Sequence, residues 1–102
     1  MTVRLTCQND KATLSIQGRF DFNVHGAFRK CTEEALTLPG VRTIEVNLLQ
    51  VSYLDSSALG MLLLLREKAA NAEAREVTIA GVRGMVQQVL DVANFSRLFK
   101  IR

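Results

Sequence analysis

The sequence predicts an α/β domain built on a mostly parallel sheet. Two observations support this: apolar residues recur with period two in some segments and at helical spacing in others, and these segments follow the order β-β-α-β-α-β-α. Strands joined through helices are predicted to be parallel neighbours with crossover helices, whereas the two opening strands are predicted to form an antiparallel hairpin at the sheet edge. The 102 residues are predicted to form one domain, residues 1–102.

The opening hairpin is predicted from two segments in which apolar and polar residues alternate. These run from Val3 to Cys7 and from Ala12 to Ile16, and the turn formers Asn9-Asp10 lie between them. Gly18 follows the second segment, and we expect the chain to leave the sheet there.

The first helix is predicted from apolar residues that share one helical face. Asp21 or Asn23 can cap its N-terminus, and Pro39-Gly40 ends it. The buried stripe is predicted to consist of Val24, Ala27, Phe28, Cys31, Ala35 and Leu38.

The second strand and helix contain the most apolar part of the chain. Alternation from Ile44 to Leu48 predicts a strand, and after a short loop Asp55-Ser56-Ser57 offers capping side chains for a helix from about Ala58 to Asn71. The first half of this helix is apolar nearly all round, which is typical of a helix buried on all sides. In an alternative interpretation, one or two of its apolar residues stay exposed at the centre of a binding patch: Leu59, Met61 and Leu62.

The last third of the chain predicts one more strand and one more helix. A short strand is predicted at Val77–Ile79, followed by Gly81, and the terminal segment Ser96–Ile101 allows a further short strand. The third helix is predicted from an apolar face that consists of Met85, Val86, Val89, Leu90 and Ala93.

Charge and hydropathy disfavour two classes of partner. The net charge is only +3 and no run of basic residues is longer than two, so we expect no nucleic-acid partner. The most apolar stretch, Ala58 to Leu65, is too short to span a bilayer, and the first residues lack the apolar core of a secretory signal. We therefore expect a cytoplasmic protein without a membrane partner.

The residues that carry catalytic or metal chemistry are sparse. Cys7 and Cys31 are widely separated and are expected to be reduced thiols that behave as small core residues. With His25 as the one histidine, no common metal site can be assembled, and no cofactor is expected. A hydrolase triad of Ser56, His25 and Asp21 can be drawn, but no G-x-S-x-G elbow or other nucleophile context is present, so we expect no enzyme activity.

The segment from Val51 to Gly60 is the most informative part of the chain. It connects a predicted strand to a predicted helix at the carboxyl edge of the sheet, where partners and ligands of open α/β sheets commonly bind. Unpaired N–H groups at a helix N-terminus can accommodate a phosphate on a serine, which adds negative charge beside Asp55. From spacing alone, however, Asp55-Ser56 is the capped start of a helix.

Two motifs resemble those of STAS domains, the family of bacterial anti-sigma factor antagonists. Leu54 to Gly60, with the sequence LDSSALG, resembles the family signature D-S-[ST]-G-L-G, and Gly18 to Asp21 resembles a second landmark, G-x-[LIF]-D, before the first helix. The predicted order of elements matches the family over essentially the whole chain. One departure is Ala58 in place of the usual glycine, which favours a firmer helix start.

The resemblance implies a partner switch that is controlled by phosphorylation. Ser56 would be phosphorylated by a dedicated serine kinase, often the anti-sigma factor itself, and a serine phosphatase of the metal-dependent type would restore the hydroxyl. The unmodified protein would bind the anti-sigma factor, or a similar regulator, and free whatever that regulator sequesters. Ser57 is the competing acceptor.

The same resemblance implies a set of partner-binding residues. Asp21 and Asp55 would flank the docking surface, and Asp55 would also help to position Ser56. Tyr53 is either a rim contact or a packing residue of the loop. The full set is Asp21, Tyr53, Asp55, Ser56, Ser57 and Leu59.

Two further hypotheses remain beside the switch, and the free protein is expected to be a monomer in any of them. One is a sensor of the same fold, with a pocket near the strand ends for a nucleotide, a lipid or another small molecule. The other is a constitutive adaptor in which Ser56 is merely a helix cap.

Overall fold

The chain begins with a β-hairpin and continues as alternating helices and strands. The computed structural model describes residues 2–72 and 75–102. Its strands are β1 (Thr2–Gln8), β2 (Lys11–Phe20), β3 (Thr43–Leu54), β4 (Glu76–Ala80) and β5 (Lys100–Ile101). Its α-helices are α1 (His25–Thr37), α2 (Ser56–Asn71) and α3 (Gly84–Val92), and 3₁₀ turns lie at Phe22–Val24 and Phe95–Arg97.

The strands form one sheet in the order β1-β2-β3-β4-β5. β1 and β2 are antiparallel, and the remaining neighbours are parallel. This confirms the predicted class, the opening hairpin and the final short strand. Each parallel connection moves in the same direction across the sheet, so right-handed crossovers place α1, α2 and α3 on one face.

The core lies between that face of the sheet and the three helices. Leu14, Val46 and Ile79 are adjacent in register on β2, β3 and β4, and all three are fully buried. The buried side chains of α1, α2 and α3 in the same cluster include Phe28, Leu62 and Leu90. Burial of each such side chain contributes about 1.5–3 kcal/mol to folding, so one continuous apolar layer fixes the helices on the sheet.

The opposite face of the sheet is polar. Glu45 on β3 is buried there and forms ion pairs with Lys11, at 3.5 Å, and with Arg102. Its neighbour on β4, Thr78, is also buried. A buried carboxylate is costly unless it is paired, and these two cations compensate the charge of Glu45 on this face.

Two strands are longer than the alternation predicts. β2 continues through Gly18, whose φ is 92°, to Phe20, so the chain does not leave the sheet at Gly18. β3 continues to Leu54, and no loop separates it from Asp55. Two register shifts between β2 and β3 explain the error, because a bulge interrupts the period-two pattern on which the prediction depended.

The buried face of α1 also differs from the prediction. Phe28 and Ala35 are buried as expected, but Ala27 is exposed and Thr32 is buried. Val24, Phe28, Thr32 and Ala35 are all buried and follow one another at i, i+4, i+8 and i+11, so they form one helical stripe. The apolar pattern missed Thr32 because that residue is polar, and Ala27 lies outside the stripe. Within the described part of the chain, no helix combines the length and apolarity needed to cross a membrane.

The two cysteines are free thiols in different environments. Cys31 is half-buried, whereas Cys7 is exposed, so the expectation of a core position is wrong for Cys7. Cys7 lies on β1, the first strand in the sheet order, where one edge of the strand is not covered by another described strand. Burial raises the pKa of the Cys31 thiol, and the nearby Glu34 raises that pKa further.

We expect Cys7 to react with iodoacetamide at pH 8 faster than Cys31. The thiolate is the reactive form, and a raised pKa lowers its population at Cys31 at any pH below that pKa. Cys7→Ser and Cys31→Ser variants separate the two rates by mass spectrometry of the intact protein. Equal rates in the two variants would contradict the different environments.

Two glycines with positive φ allow a second test of the fold. Gly81 has a φ of 76°, and a Cβ built on it would lie 2.6 Å from the backbone nitrogen of Leu49, whereas Gly40 has a φ of 77° and open space around such a Cβ. We expect Gly40→Ala to lower the free energy of unfolding by about 1 kcal/mol through strain alone. Gly81→Ala should lower it by about 1–3 kcal/mol more, because the added methyl group meets backbone. Urea denaturation measures both values, and equal losses would argue against the close contact with Leu49.

Candidate functional site

The ends of β2 and β3 bring two aspartates together. Phe20 and Leu54 are paired in the parallel ladder, and each is the last residue of its strand. Asp21 and Asp55 follow them directly, at the carboxyl edge of the sheet. Each aspartate caps the turn or helix that begins after it, so their side chains are held by backbone N–H groups.

Asp55 is the N-cap of α2. Its Oδ1 accepts a hydrogen bond from the Ala58 N–H at 3.1 Å. Ser56 is the first residue of the helix, its side chain is exposed, and among the described residues none is hydrogen-bonded to its hydroxyl. The cap therefore belongs to Asp55, and the fold does not use the Ser56 hydroxyl.

Ser56 and Ser57 differ in accessibility. Ser57 is half-buried, whereas Ser56 is exposed. Both residues lie in the first turn of α2, whose backbone N–H groups have no partner within the helix. The partial positive charge of this turn favours an anion on either hydroxyl, and accessibility favours Ser56.

The Asp21 side chain is directed inward, whereas the neighbouring Arg19 side chain lies at the surface. Asp21 is buried; its Oδ1 accepts from the Asn23 N–H at 3.0 Å, and its Oδ2 lies 3.4 Å from Arg19 Nε. The Arg19 guanidinium in turn stacks over the Tyr53 ring, with 4.2 Å between the guanidinium carbon and the ring centroid. Arg19 thus links Tyr53 to Asp21, although its residue type was not predicted to belong to the site. The only signal for Arg19 was its variable position in the G-x-[LIF]-D segment.

The exposure of the side chains along α2 differs from both interpretations of its apolar first half. Met61 and Leu62 are buried and Leu59 is half-buried, whereas Leu63 and Leu64 are 41% and 47% exposed. The helix is therefore not buried on all sides, and two of the three residues considered for an exposed patch belong to the core. The phase of α2 is set by its contacts with the sheet, which a uniformly apolar sequence does not reveal.

A further exposed apolar residue, Phe22, lies next to Asp21. The ring of Phe22 is 68% exposed and stacks on His25, with 5.5 Å between the ring centroids. The sequence analysis did not select Phe22, although an aromatic residue directly after a capping aspartate is a signal that could have found it. Large exposed aromatic side chains are common anchors of protein interfaces.

Clefts near this edge are narrow or shallow. The one between α1 and α2 has a volume of about 30 Å³, which is enough for one water molecule. A broader apolar groove of about 320 Å³ lies between α2 and α3 beside Leu59 and Val92. Small-molecule sites usually combine an enclosed apolar space with a few convergent polar groups, so these clefts fit a protein partner better.

The division of roles between Asp55 and Ser56 is open to a direct test. We expect Asp55→Ala to lower the free energy of unfolding by about 1 kcal/mol, because the Ala58 N–H loses its acceptor. Ser56→Ala should change it by less than about 0.5 kcal/mol, since its hydroxyl makes no such bond. Asp55→Asn is the control that keeps a capping oxygen. A loss for Ser56→Ala as large as that for Asp55→Ala would show that the serine is the cap.

Sequence comparison places the whole described fold in one family. The STAS domain family model matches residues 2–102. A STAS-domain containing protein of Pseudomonas aeruginosa (strain UCBPP-PA14) is 42% identical over 101 residues, which are 99% of this chain and 97% of that protein.

Solved structures share the same architecture. The anti-sigma factor antagonist SpoIIAA in its unphosphorylated form superimposes with a TM-score of 0.73 at 20% identity, over 99% of this chain and 87% of that one. The Bacillus cell fate determinant SpoIIAA in the phosphorylated form gives a TM-score of 0.73 at 17% identity, over 99% and 91% of the two chains. These likenesses show a shared fold. Together with the match of the family model and the 42% identical relative, they lead to one conclusion: the chain belongs to the STAS domain family.

Proposed function

We propose that this protein is an anti-sigma factor antagonist controlled by phosphorylation of Ser56. In its unmodified form it binds an anti-sigma factor, or a similar regulator, and phosphorylation of Ser56 blocks this binding. The observation that carries the proposal is the state of Ser56, which is exposed at the first position of α2 while Asp55 supplies the cap. Because the Ser56 hydroxyl does not cap the helix, phosphorylation can add negative charge at this position without removing a bond that stabilises the fold.

The physical effect of phosphorylation is a change of surface charge. A phosphate adds about −1.5 to −2 charges at pH 7. The first turn of α2 tolerates it, because unpaired N–H groups and the helix dipole favour an anion there. A partner that covers Ser56 would have to desolvate that charge beside Asp55, which makes the complex less stable.

The neighbouring residues are proposed to have separate tasks at the interface. Asp55 orients the first turn of α2 through its bond to Ala58. Asp21 holds Arg19 against Tyr53, so these two side chains present a cation and a ring to the partner. Leu59, half-buried on the next turn, contributes apolar contact, and Ser57 is the secondary acceptor.

The proposal includes the enzymes that would set the phosphorylation state. A serine kinase, which can be the anti-sigma factor itself, would modify Ser56, and a metal-dependent serine phosphatase would reverse the reaction. This protein would act as a regulator in the cytoplasm, without catalytic chemistry or a cofactor of its own. SpoIIAA, which has the same fold, is known in both phosphorylated and unphosphorylated forms, and this supports the proposal. The constitutive adaptor is less well supported, because Asp55, and not Ser56, caps the helix.

Affinity capture from native lysate tests the switch. We expect a Ser56→Ala bait to retain a target that a Ser56→Asp bait loses, with affinity at least about tenfold weaker, or about 1.4 kcal/mol. Mass spectrometry identifies the target, and phosphopeptide mapping of the native protein locates the modified serine.

Ser57→Ala and Ser57→Asp baits test the competing acceptor, and we expect them to differ from each other less than the two Ser56 baits do, because Ser57 is half-buried. A bait with genuine phosphoserine at position 56 removes the objection that aspartate imitates phosphate poorly. Identical captures by all these baits would refute control through Ser56.

A further inference from the structure

A cleft lies beside the start of β4, where β5 does not reach. β5 pairs with β4 only at Thr78 and Ile79, so the first two residues of β4, Glu76 and Val77, have no strand beside them on that side. The cleft there has a volume of about 430 Å³, which is within the range of small-molecule sites. We call it the β4–β5 cleft. It lies at the amino ends of these strands, the edge of the sheet opposite to Ser56.

The Val77 N–H is directed to the side of the β4–β5 cleft. On β4, the Glu76 N–H bonds to the Arg42 carbonyl on the side of β3, whereas the Ile79 carbonyl accepts from the Arg102 N–H on the side of β5. Backbone groups alternate in direction along a strand, so the Val77 N–H points to the same side as Ile79. Val77 is buried, and no described residue supplies an acceptor for this N–H. Because a buried N–H without an acceptor is costly and rare, it favours a ligand that brings one.

The charged side chains of the cleft are mostly cationic. The cations are Arg66, Arg75, Arg97 and Lys100. Glu76 is the one carboxylate among the described lining residues, and it is paired with Lys100 at 3.4 Å. The cations come from α2, β4 and the terminal segment, which explains why no basic run in the sequence marked them. Their excess over the single carboxylate favours an anionic ligand.

Two of the arginines have donors that the fold does not use. Arg66 Nε donates to the Leu98 carbonyl at 2.9 Å, which orients the side chain and leaves its two Nη groups without an acceptor among the described residues. The exposed Arg97 guanidinium has no acceptor in the described part of the chain. Arg75 differs, because both its Nη groups donate to carbonyl oxygens at the C-terminal end of α1. Arg75 is therefore a buried part of the wall, whereas Arg66 and Arg97 can bind a ligand directly.

We infer that the β4–β5 cleft binds a phosphate group. Its oxygens would accept from the guanidinium groups of Arg66 and Arg97, whose planar donor forks match a phosphate. The Val77 N–H would donate to a further oxygen, and the Ser96 hydroxyl lines the same cleft. A carboxylate, with two oxygens in one plane, satisfies fewer donors that come from separate elements. The inference goes beyond the proposed function and does not rest on it, since the cleft is separate from Ser56.

NMR titration of the isotope-labelled protein tests the inference, with inorganic phosphate and pyrophosphate as the probes. At pH 7 and low salt, we expect both probes to shift amide signals of the cleft. The Val77 signal should move downfield, because its N–H gains an anionic acceptor. Pyrophosphate should bind about tenfold more tightly than phosphate, since it offers more charge and a second group of oxygens. Binding should weaken as sodium chloride is added.

Arg97→Gln is the main variant, because Arg97 has no side-chain bond in the described fold to lose. We expect it to weaken pyrophosphate binding about tenfold and to leave the midpoint of thermal unfolding unchanged. Arg4→Gln is the matched control: it removes the same charge from an exposed position on β1, at the other end of the strand order, and should leave binding unchanged. Glu76→Gln should strengthen binding about threefold, because it removes the carboxylate and releases Lys100.

Two further probes identify the carrier of the phosphate group. Binding of glycerol phosphate in the same titration, without cosedimentation with vesicles that contain phosphatidic acid, assigns a soluble carrier. Cosedimentation with these vesicles but not with phosphatidylcholine vesicles, lost in Arg97→Gln, assigns a lipid headgroup. If neither phosphate nor pyrophosphate moves the Val77 signal, or if Arg97→Gln binds pyrophosphate as tightly as Arg4→Gln, the inference is overturned, whatever the Ser56 baits capture.

Discussion

The parallel pairing of β2 with β3 is the interaction on which the functional end of the molecule depends. The ladder carries two register shifts and still ends with Phe20 opposite Leu54. Because the strands end together, Asp21 and Asp55 begin the next elements at the same edge, and α1 and α2 start side by side above the same core face. A change of one residue in this register would separate the two caps and turn their side chains to opposite faces.

At that edge, the residues that stabilise the first turns of the helices are not the residue that is most exposed to solvent. Asp55 and Asp21 are engaged with backbone N–H groups, and these bonds fix the first turns. Ser56 lies beside them without such a bond and is exposed. A residue that contributes little to the fold is suited to reversible modification, because the helix is held by its neighbours in either state. The helix N-terminus itself favours the added negative charge.

The two faces of the sheet have different chemistry. The polar face holds Glu45 between Lys11 and Arg102, an arrangement that keeps a buried carboxylate paired. On the other face, the helices cover the apolar residues of the strands, and α2 leaves Leu63 and Leu64 outward. The exposed apolar surface of the molecule near Ser56 is therefore created by the orientation of α2 and by the ring of Phe22, which lies before α1.

The sequence by itself determined the fold class, the order of the elements and the segment that contains Ser56, because periodicity and capping residues are local signals. It did not reveal the ends of β2 and β3, since bulges at their pairing break the local pattern. Only the tertiary structure decided that Asp55 is the cap, that Asp21 is directed inward and that Arg19 stacks on Tyr53. The outward orientation of Leu63 and Leu64 was likewise decided only by the tertiary structure. The caps at Asp21 and Asp55 are local bonds, but several neighbouring polar side chains could have made them, and the spacing does not choose among these. The stacking of Arg19 on Tyr53 and the orientation of α2 depend on contacts between residues far apart in the chain, which no local spacing encodes.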